Sequence, residues 1–327
     1  MKQFRVLLLV LIFASLVVFG TLALAQQKFS FSIATGGTGG VWYPLGGAIG
    51  GIIGKKVPNT DATSEATTAA IDNLKLLAAG RVGLAFAYDY HVVWANEGKL
   101  EALGKKQPMR VVIGFYEQPL HIVTTDKTNI KSIMDLKGKR VCTGAPNSGT
   151  EEQADYVLKA LGINWDKDMT REKLSATESV AAMKDGKIDA FFWSGAVPTS
   201  SIIDLSNTPG LKMVLVPVSA KDSAIIMKAN PGVFHKTKFT KAGYNTLDKD
   251  VDAVAITAVL VSMNNFPADK MYLIVKEIFD NSADIIPVWK GAKNLTPKTA
   301  VSQLTPPAVK YIHAGAAKYY KEKGAMK

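Results

Sequence analysis

Cysteine is almost missing from this sequence: Cys142 is the one example in 327 residues. No disulfide can therefore close within the chain, even in an oxidising compartment. Cys142 sits in the apolar run Arg140-Val141-Cys142 and reads as a small buried hydrophobe. Arginine is scarce as well. Beyond Arg5 only Arg81, Arg110, Arg140 and Arg171 occur, so the formal net charge of +11 is carried by lysine. These lysines are scattered through helical stretches and the tail (Lys318, Lys321, Lys323, Lys327). Nucleic-acid readers concentrate arginine and aromatics on one face; here a solvated surface is expected, with long-range attraction of anionic solutes as the residual role.

Long apolar runs are lacking after residue 25, the longest being Val251 to Met263, which carries Asp252. Motifs for chemistry are lacking too. Reading G-x-G-x-x-G from Gly37 and Gly39 places Trp42 where the third glycine belongs. The P-loop pattern fails around Gly54-Lys55, with Ile49 and Lys56 at required positions. No G-x-S-x-G elbow surrounds Ser148 or Ser194, and no His-x-x-x-His or cysteine pair offers a metal site. His91, His121, His235 and His313 are dispersed. No catalytic residue, cofactor or metal is expected.

What is present begins with an export signal. Lys2 and Arg5 precede the apolar stretch Val6 to Phe19, and Ala23-Leu24-Ala25 supplies small residues for cleavage after Ala25. At 1.5 Å per residue that stretch reaches only ~21 Å, short of a ~30 Å hydrocarbon core. No cysteine follows it, so the usual lipid anchor is closed to the mature chain. The expectation is a soluble protein held in a Gram-negative periplasm, about 300 residues long and large enough for two domains.

Strand-like runs alternate with helical patterns from Phe29 to about Val218, which predicts α/β architecture with largely parallel sheets. Two segments share one plan. Phe31 to Gly40 reads as a strand ending in a glycine-rich turn before a helix, and Lys139 to Thr150 reads the same way. Leu76 to Phe86 and Ala182 to Phe192 each read as a helix end, a glycine C-cap and a strand. Gly36 and Gly80 stand 44 residues apart, Gly144 and Gly186 42 apart. Two similar lobes follow: 26–117 with 262–327 as the first, 118–261 as the second. Arg110 to Thr125 runs strand into strand and predicts a crossover hinge at Phe115–Pro119. A second crossing is expected within Asp252 to Val261.

Helix N-termini offer unpaired N–H groups and a partial positive charge, which suit carboxylate or phosphate. Thr38, Gly39 and Gly40 are expected to open one helix; Ser148, Gly149 and Thr150 open another. Ser148-x-x-Glu151 and Thr150-x-x-Gln153 both fit a capping box. Ligands of open α/β sheets bind at the carboxyl ends of strands, which adds Thr63, Ser64, Thr67, Tyr88, Tyr116, Trp193 and Gly195 as candidates. Tyr43 stands as a binding residue or as an aromatic anchor of its helix.

Gly37-Thr-Gly-Gly-Val-Trp-Tyr-Pro-Leu-Gly46, Asp135 to Thr150, Asp185 to Pro198 and the tail His313 to Gly324 resemble, in order along nearly the whole mature chain, the TAXI-type extracytoplasmic solute receptors of TRAP transporters. That resemblance implies a type II periplasmic-binding-protein fold without enzymatic activity and a permease partner driven by an ion gradient. It also implies a small acidic ligand such as glutamate, a related amino acid or a dicarboxylate. The family pattern assigns Thr38, Gly39, Gly40 and Tyr43 to the first binding loop and Ser148, Gly149 and Thr150 to the second, with Trp193 and Gly195 beside them. The chain departs with Trp42 where tyrosine is common, Ala314 for a frequent proline, and Ala66-Thr67-Thr68 where glycines are frequent. A monomeric receptor that closes around its solute is expected. A receptor serving a membrane sensor, or an enzyme on the same two-lobed fold, are the alternatives.

Overall fold

The computed structural model describes residues 28–68 and 70–327; the expected signal segment and its cleavage point lie outside the described residues. None of the described helices is long and apolar enough to cross a membrane.

The first half of the chain folds as β1 (Phe29–Ala34), α1 (Trp42–Lys56), β2 (Thr60–Glu65), α2 (Ala70–Ala78), β3 (Leu84–Tyr88) and α3 (Asp89–Glu97). Strand β4 (Met109–Thr125) then leads into β5 (Arg140–Cys142), α4 (Gly149–Ala160), β6 (Thr170–Glu172), α5 (Ala176–Lys184) and β7 (Ala190–Ser194). After α6 (Ser200–Ser206) come β8 (Met213–Leu215), α7 (Ala220–Ala229), β9 (His235–Phe239) and β10 (Val251–Met263). The chain ends in α8 (Ala268–Asp280), α9 (Pro297–Ser302), α10 (Pro306–Val309) and α11 (Ala314–Glu322).

The echo between the two halves is structural. In space the first half runs β2-β1-β3-β10-β4, and the second runs β6-β5-β7-β4-β8. In each, three parallel strands are followed by an antiparallel strand borrowed from the far side of the hinge. This is the two-lobed α/β arrangement expected from the sequence. The matched C-caps are real: Gly80 and Gly186 both take positive φ, at 69° and 66°. In each the following residue reaches back to close the helix, Arg81 N to Leu76 O and Lys187 N to Ala182 O.

Each connection between the lobes, β4 and β10, is one unbroken strand. β4 pairs with β10 as far as Pro119 and with β7 from Leu120 onward. β10 pairs with β9 over Val251–Ala255 and with β3 over Ala258–Val261. Placing both strands across the two sheets keeps most of their length paired and buried, with register shifts at Ala258/Val259 and Leu260/Val261 and an exposed Glu117 at the crossing.

Cores form where the apolar periodicity places them. On α1, Trp42, Leu45, Ile49, Ile52 and Ile53 are buried at the spacing of one helix face, each such side chain contributing roughly 1.5–3 kcal/mol. A second cluster under the later lobe gathers Cys142, Phe191, Ile202, Phe239 and Tyr244. Cys142 is fully buried, its sulfur facing the Ser179 hydroxyl and the Leu174 backbone, as an inert core residue should be.

Candidate functional site

Between the lobes lies a cavity of about 380 Å³, at the lower end of the range for small-molecule sites. One wall is the Gly36–Trp42 loop after β1, with Thr67, Thr68 and the ends of β3 (Tyr88) and of the crossing strand (Tyr116, Gln118). The other is built from Gly144 to Thr150, Leu174 to Glu178 and Trp193 to Ala196. Each segment sits at the carboxyl end of a parallel strand or on the hinge.

Local chemistry holds these loops in place. Buried Asn73 donates to the carbonyls of Thr35 and Phe86 and accepts from Thr67, tying the ends of β1 and β3 to the Thr67 turn. Tyr88 stacks beside Tyr90 and packs on Trp42, and its hydroxyl accepts from Gln118 Nε2. The same Gln118 amide donates to the Ser194 carbonyl and hydroxyl. Ser194 in turn gives its N–H to Thr150 Oγ1 and its hydroxyl hydrogen to Gln153. A single polar network thus crosses from one lobe to the other through the hinge.

The lobes also touch directly. Ser200 Oγ donates to the Gly39 carbonyl across the cleft at 3.3 Å. The Tyr88 ring lies against Gly149, and the Trp193 indole lies against Gly40. Farther along, Glu152 of α4 accepts from Tyr90 and sits 2.6 Å from His91 Nε2, both on α3. Hydrogen bonds and the His91 charge outweigh desolvation and hold the Glu152 carboxyl below its ordinary value.

Of the sequence-derived candidates, Thr38, Gly39, Gly40, Thr67, Tyr88, Tyr116, Ser148, Gly149, Thr150, Trp193 and Gly195 line this cavity together. Tyr43, Thr63 and Ser64 do not. Tyr43 points outward, about a third exposed. Thr63 and Ser64 do not follow the second strand but belong to it, because β2 continues to Glu65. Ser64 packs under Gly46 and Gly47 of α1, and Thr63 faces solvent. Alternation along a strand sends neighbouring residues to opposite faces, and neither face of β2 meets the cleft.

Two helix starts also differ from expectation. α1 begins at Trp42 with no side-chain cap, three residues after Gly39, because Gly36–Val41 forms a separate turn closed by Gly40 N to Gly37 O. Ser148 caps α4 by accepting from Glu151 N, but Glu151 takes the N–H of Asn147 rather than that of Ser148. Thr150 caps nothing; its oxygen is engaged by Ser194. The hydroxyl hydrogens of Ser148 and Thr150 remain available to a ligand.

The sequence carries one further signal of the cleft. Ser175-x-x-Glu178 forms a reciprocal capping box and starts α5 at the cleft wall. Starts of α1, α4 and α5 therefore all border one cavity, two of them with acceptors already spent on capping and free N–H groups facing forward. Among the described residues lining it, none is lysine, arginine or histidine, and Glu178 is the one carboxylate. The Ser175 backbone N–H holds the Glu178 carboxyl below its usual value. Burial raises Tyr88 and Tyr116 far above the usual phenol range, so both are neutral donors. Arg140 is remote, bonded to Asp189 and the Gly186 carbonyl.

Fold and cleft define a two-lobed α/β protein with a cavity of small-molecule size at the lobe junction. The chain belongs to the NMT1-like family, whose pattern matches residues 33–324. Similar solved structures include a protein of Bordetella bronchiseptica RB50, at 16% identity and TM-score 0.51, covering 90% of this chain and 83% of that one. A Xanthomonas citri protein solved with ATP is similar at 12% identity and TM-score 0.50, covering 89% and 98%. The periplasmic aliphatic sulphonate binding protein of Escherichia coli follows at 13% identity and TM-score 0.46, covering 91% and 94%.

Proposed function

We propose that this chain is a periplasmic solute receptor of the TAXI type that captures a small carboxylate-bearing metabolite, a glutamate-like amino acid or a dicarboxylate, and delivers it to the membrane permease of a TRAP transporter. The observation that carries the reading is the cleft itself: starts of α1, α4 and α5 from both lobes border one cavity without a side-chain cation. Each helix start favours an anion by about 0.3–1 kcal/mol, more when partly buried. Hydrogen bonds to a charged group add roughly 1.5–3 kcal/mol each. Thr38, Ser148 and Thr150 add hydroxyl-bearing side chains to the lining of the same cavity. The lobes are taken as 26–117 with 262–327, and 118–261, acting as a monomer that closes around solute.

Binding is reversible and without turnover. The test is calorimetric titration of purified protein with L-glutamate, L-aspartate, succinate and 2-oxoglutarate, followed by mass spectrometry of the recovered solute. Stoichiometric recovery of unchanged solute is expected. Steady product formation overturns the receptor reading, and failure to bind any of the four overturns the acidic ligand.

A further inference from the structure

Trp193 is the largest side chain on the later lobe's side of the cleft, and its orientation is set by a closed circuit of hydrogen bonds. Its indole Nε1 donates to Thr199 Oγ1 at 3.0 Å. Thr199 sends its hydroxyl hydrogen to the Ala196 carbonyl at 2.6 Å, and its backbone N–H to the Tyr244 hydroxyl oxygen at 3.1 Å. Tyr244 lies 2.8 Å from His121 Nε2. His121 Nδ1 faces two carbonyls, Pro119 O at 3.1 Å and Trp193 O at 3.0 Å.

The chemistry allows one assignment of protons. A ring nitrogen facing two carbonyls must carry hydrogen, so Nδ1 donates and Nε2 accepts. Tyr244, already accepting from Thr199, gives its hydrogen to Nε2. The circuit leaves Trp193 by its indole and returns to it by its carbonyl. Thr199 and His121 are nearly or wholly buried, where a broken member leaves its partner unpaired at high cost. Pro119 and His121 lie on β4 where its pairing passes from one lobe to the other.

We infer that Thr199, Tyr244 and His121 are positioning residues for solute binding: they lock the Trp193 indole as a wall of the cleft, against Gly195 of its own lobe and Gly40 of the other. The inference rests on the receptor reading and assigns part of its affinity to three residues, Thr199, Tyr244 and His121, that do not line the cavity. The circuit ties that wall to the hinge strand β4 through His121 and Pro119.

The decisive variant is Thr199→Val, which keeps the shape and removes the hydroxyl; Thr199→Ser restores it. The first readout needs no solute. Five tryptophans give five indole N–H cross-peaks by nuclear magnetic resonance, and the Trp193 peak is the one missing in Trp193→Phe. In Thr199→Val that peak moves upfield as its hydrogen bond is lost, and in Thr199→Ser it returns. The second readout is titration with whichever of L-glutamate, L-aspartate, succinate and 2-oxoglutarate binds the wild type most tightly. Thr199→Val weakens that solute by about three- to tenfold, and Thr199→Ser recovers it. An unmoved Trp193 peak overturns the circuit, and an unchanged affinity beside a moved peak overturns its role in binding. A wild type that binds none of the four solutes refutes the acidic-ligand reading instead, and the indole peak then decides the circuit by itself.

Discussion

Gly149→Ala separates lobe closure from fold stability. Gly149 is the first residue of α4, with a backbone that alanine adopts without strain, since its φ is not among the positive ones. A Cβ added there would lie 2.5 Å from the Tyr88 hydroxyl and 2.7 Å from Cζ of its ring. The ring has nowhere to go: it packs on Trp42 at 5.4 Å, stacks by Tyr90 at 5.9 Å and is bonded to Gln118. Overpacking of this kind costs about 1–3 kcal/mol. If the lobes close around solute as proposed, the cost falls on the closed form, because Tyr88 and Gly149 stand on opposite sides of the cleft. Within α4, alanine in place of glycine favours the helix by up to about 1 kcal/mol. Solute affinity should therefore drop about 5- to 150-fold, at 1.4 kcal/mol per tenfold, while the melting temperature without solute stays level or rises. Calorimetry measures the first and differential scanning fluorimetry the second. Small-angle scattering adds a check: the wild type should contract when saturated with solute, and the variant less. Wild-type affinity in Gly149→Ala, with the same contraction, would refute the argument that these two residues meet on closure.

Other outcomes follow from the same geometry. Ser148→Ala removes a helix cap and a hydroxyl at the anion position, so affinity should fall about tenfold or more by titration, whereas Arg140→Ala, whose partners are Asp189 and the Gly186 carbonyl, should bind nearly as the wild type; loss of binding in the arginine variant alone would mean a direct salt bridge holds the solute. Burial pushes His121 down to about 3, so above its unfolded value of about 6.5 it is neutral in both states and neutral to stability. As pH falls from there toward 3, the unfolded chain takes up a proton that the folded one refuses, and stability drops by up to about 1.4 kcal/mol per unit; thermal melts of His121→Gln against wild type should show a flatter decline over that window, and parallel curves would sink the assignment. Glu152, held below its ordinary value, contributes at neutral pH and loses that contribution only as pH falls through its lowered value; Glu152→Gln should melt lower than wild type at pH 7 and converge with it in strong acid.

Composition and pattern alone determined the class of architecture here. Alternating apolar runs, the paired glycine turns at Gly80 and Gly186, and the two strand–turn–helix segments ending near Gly40 and Thr150 are local signals, because a strand period, a left-handed cap and a helix start each depend on a few consecutive residues. Those signals also located most of the cleft, since loops at the carboxyl ends of parallel strands have to meet once two similar lobes share a hinge. Thr63, Ser64 and Tyr43 marked the limit of that logic: strand ends shift by a residue or two without any change in periodicity, and a helix's rotation on its sheet is set by packing across chain-distant contacts. Only the tertiary structure decided which polar groups face one another. Gln118, Ser194 and Tyr88 lie 76 and 30 residues from their partners, and the circuit from Trp193 through Tyr244 to His121 spans 123 residues in a single bond. No local pattern encodes such pairs, because hydrogen bonds in a buried site are specified by the folding of whole lobes against each other, and their chemistry becomes legible only when distance in space replaces distance in sequence.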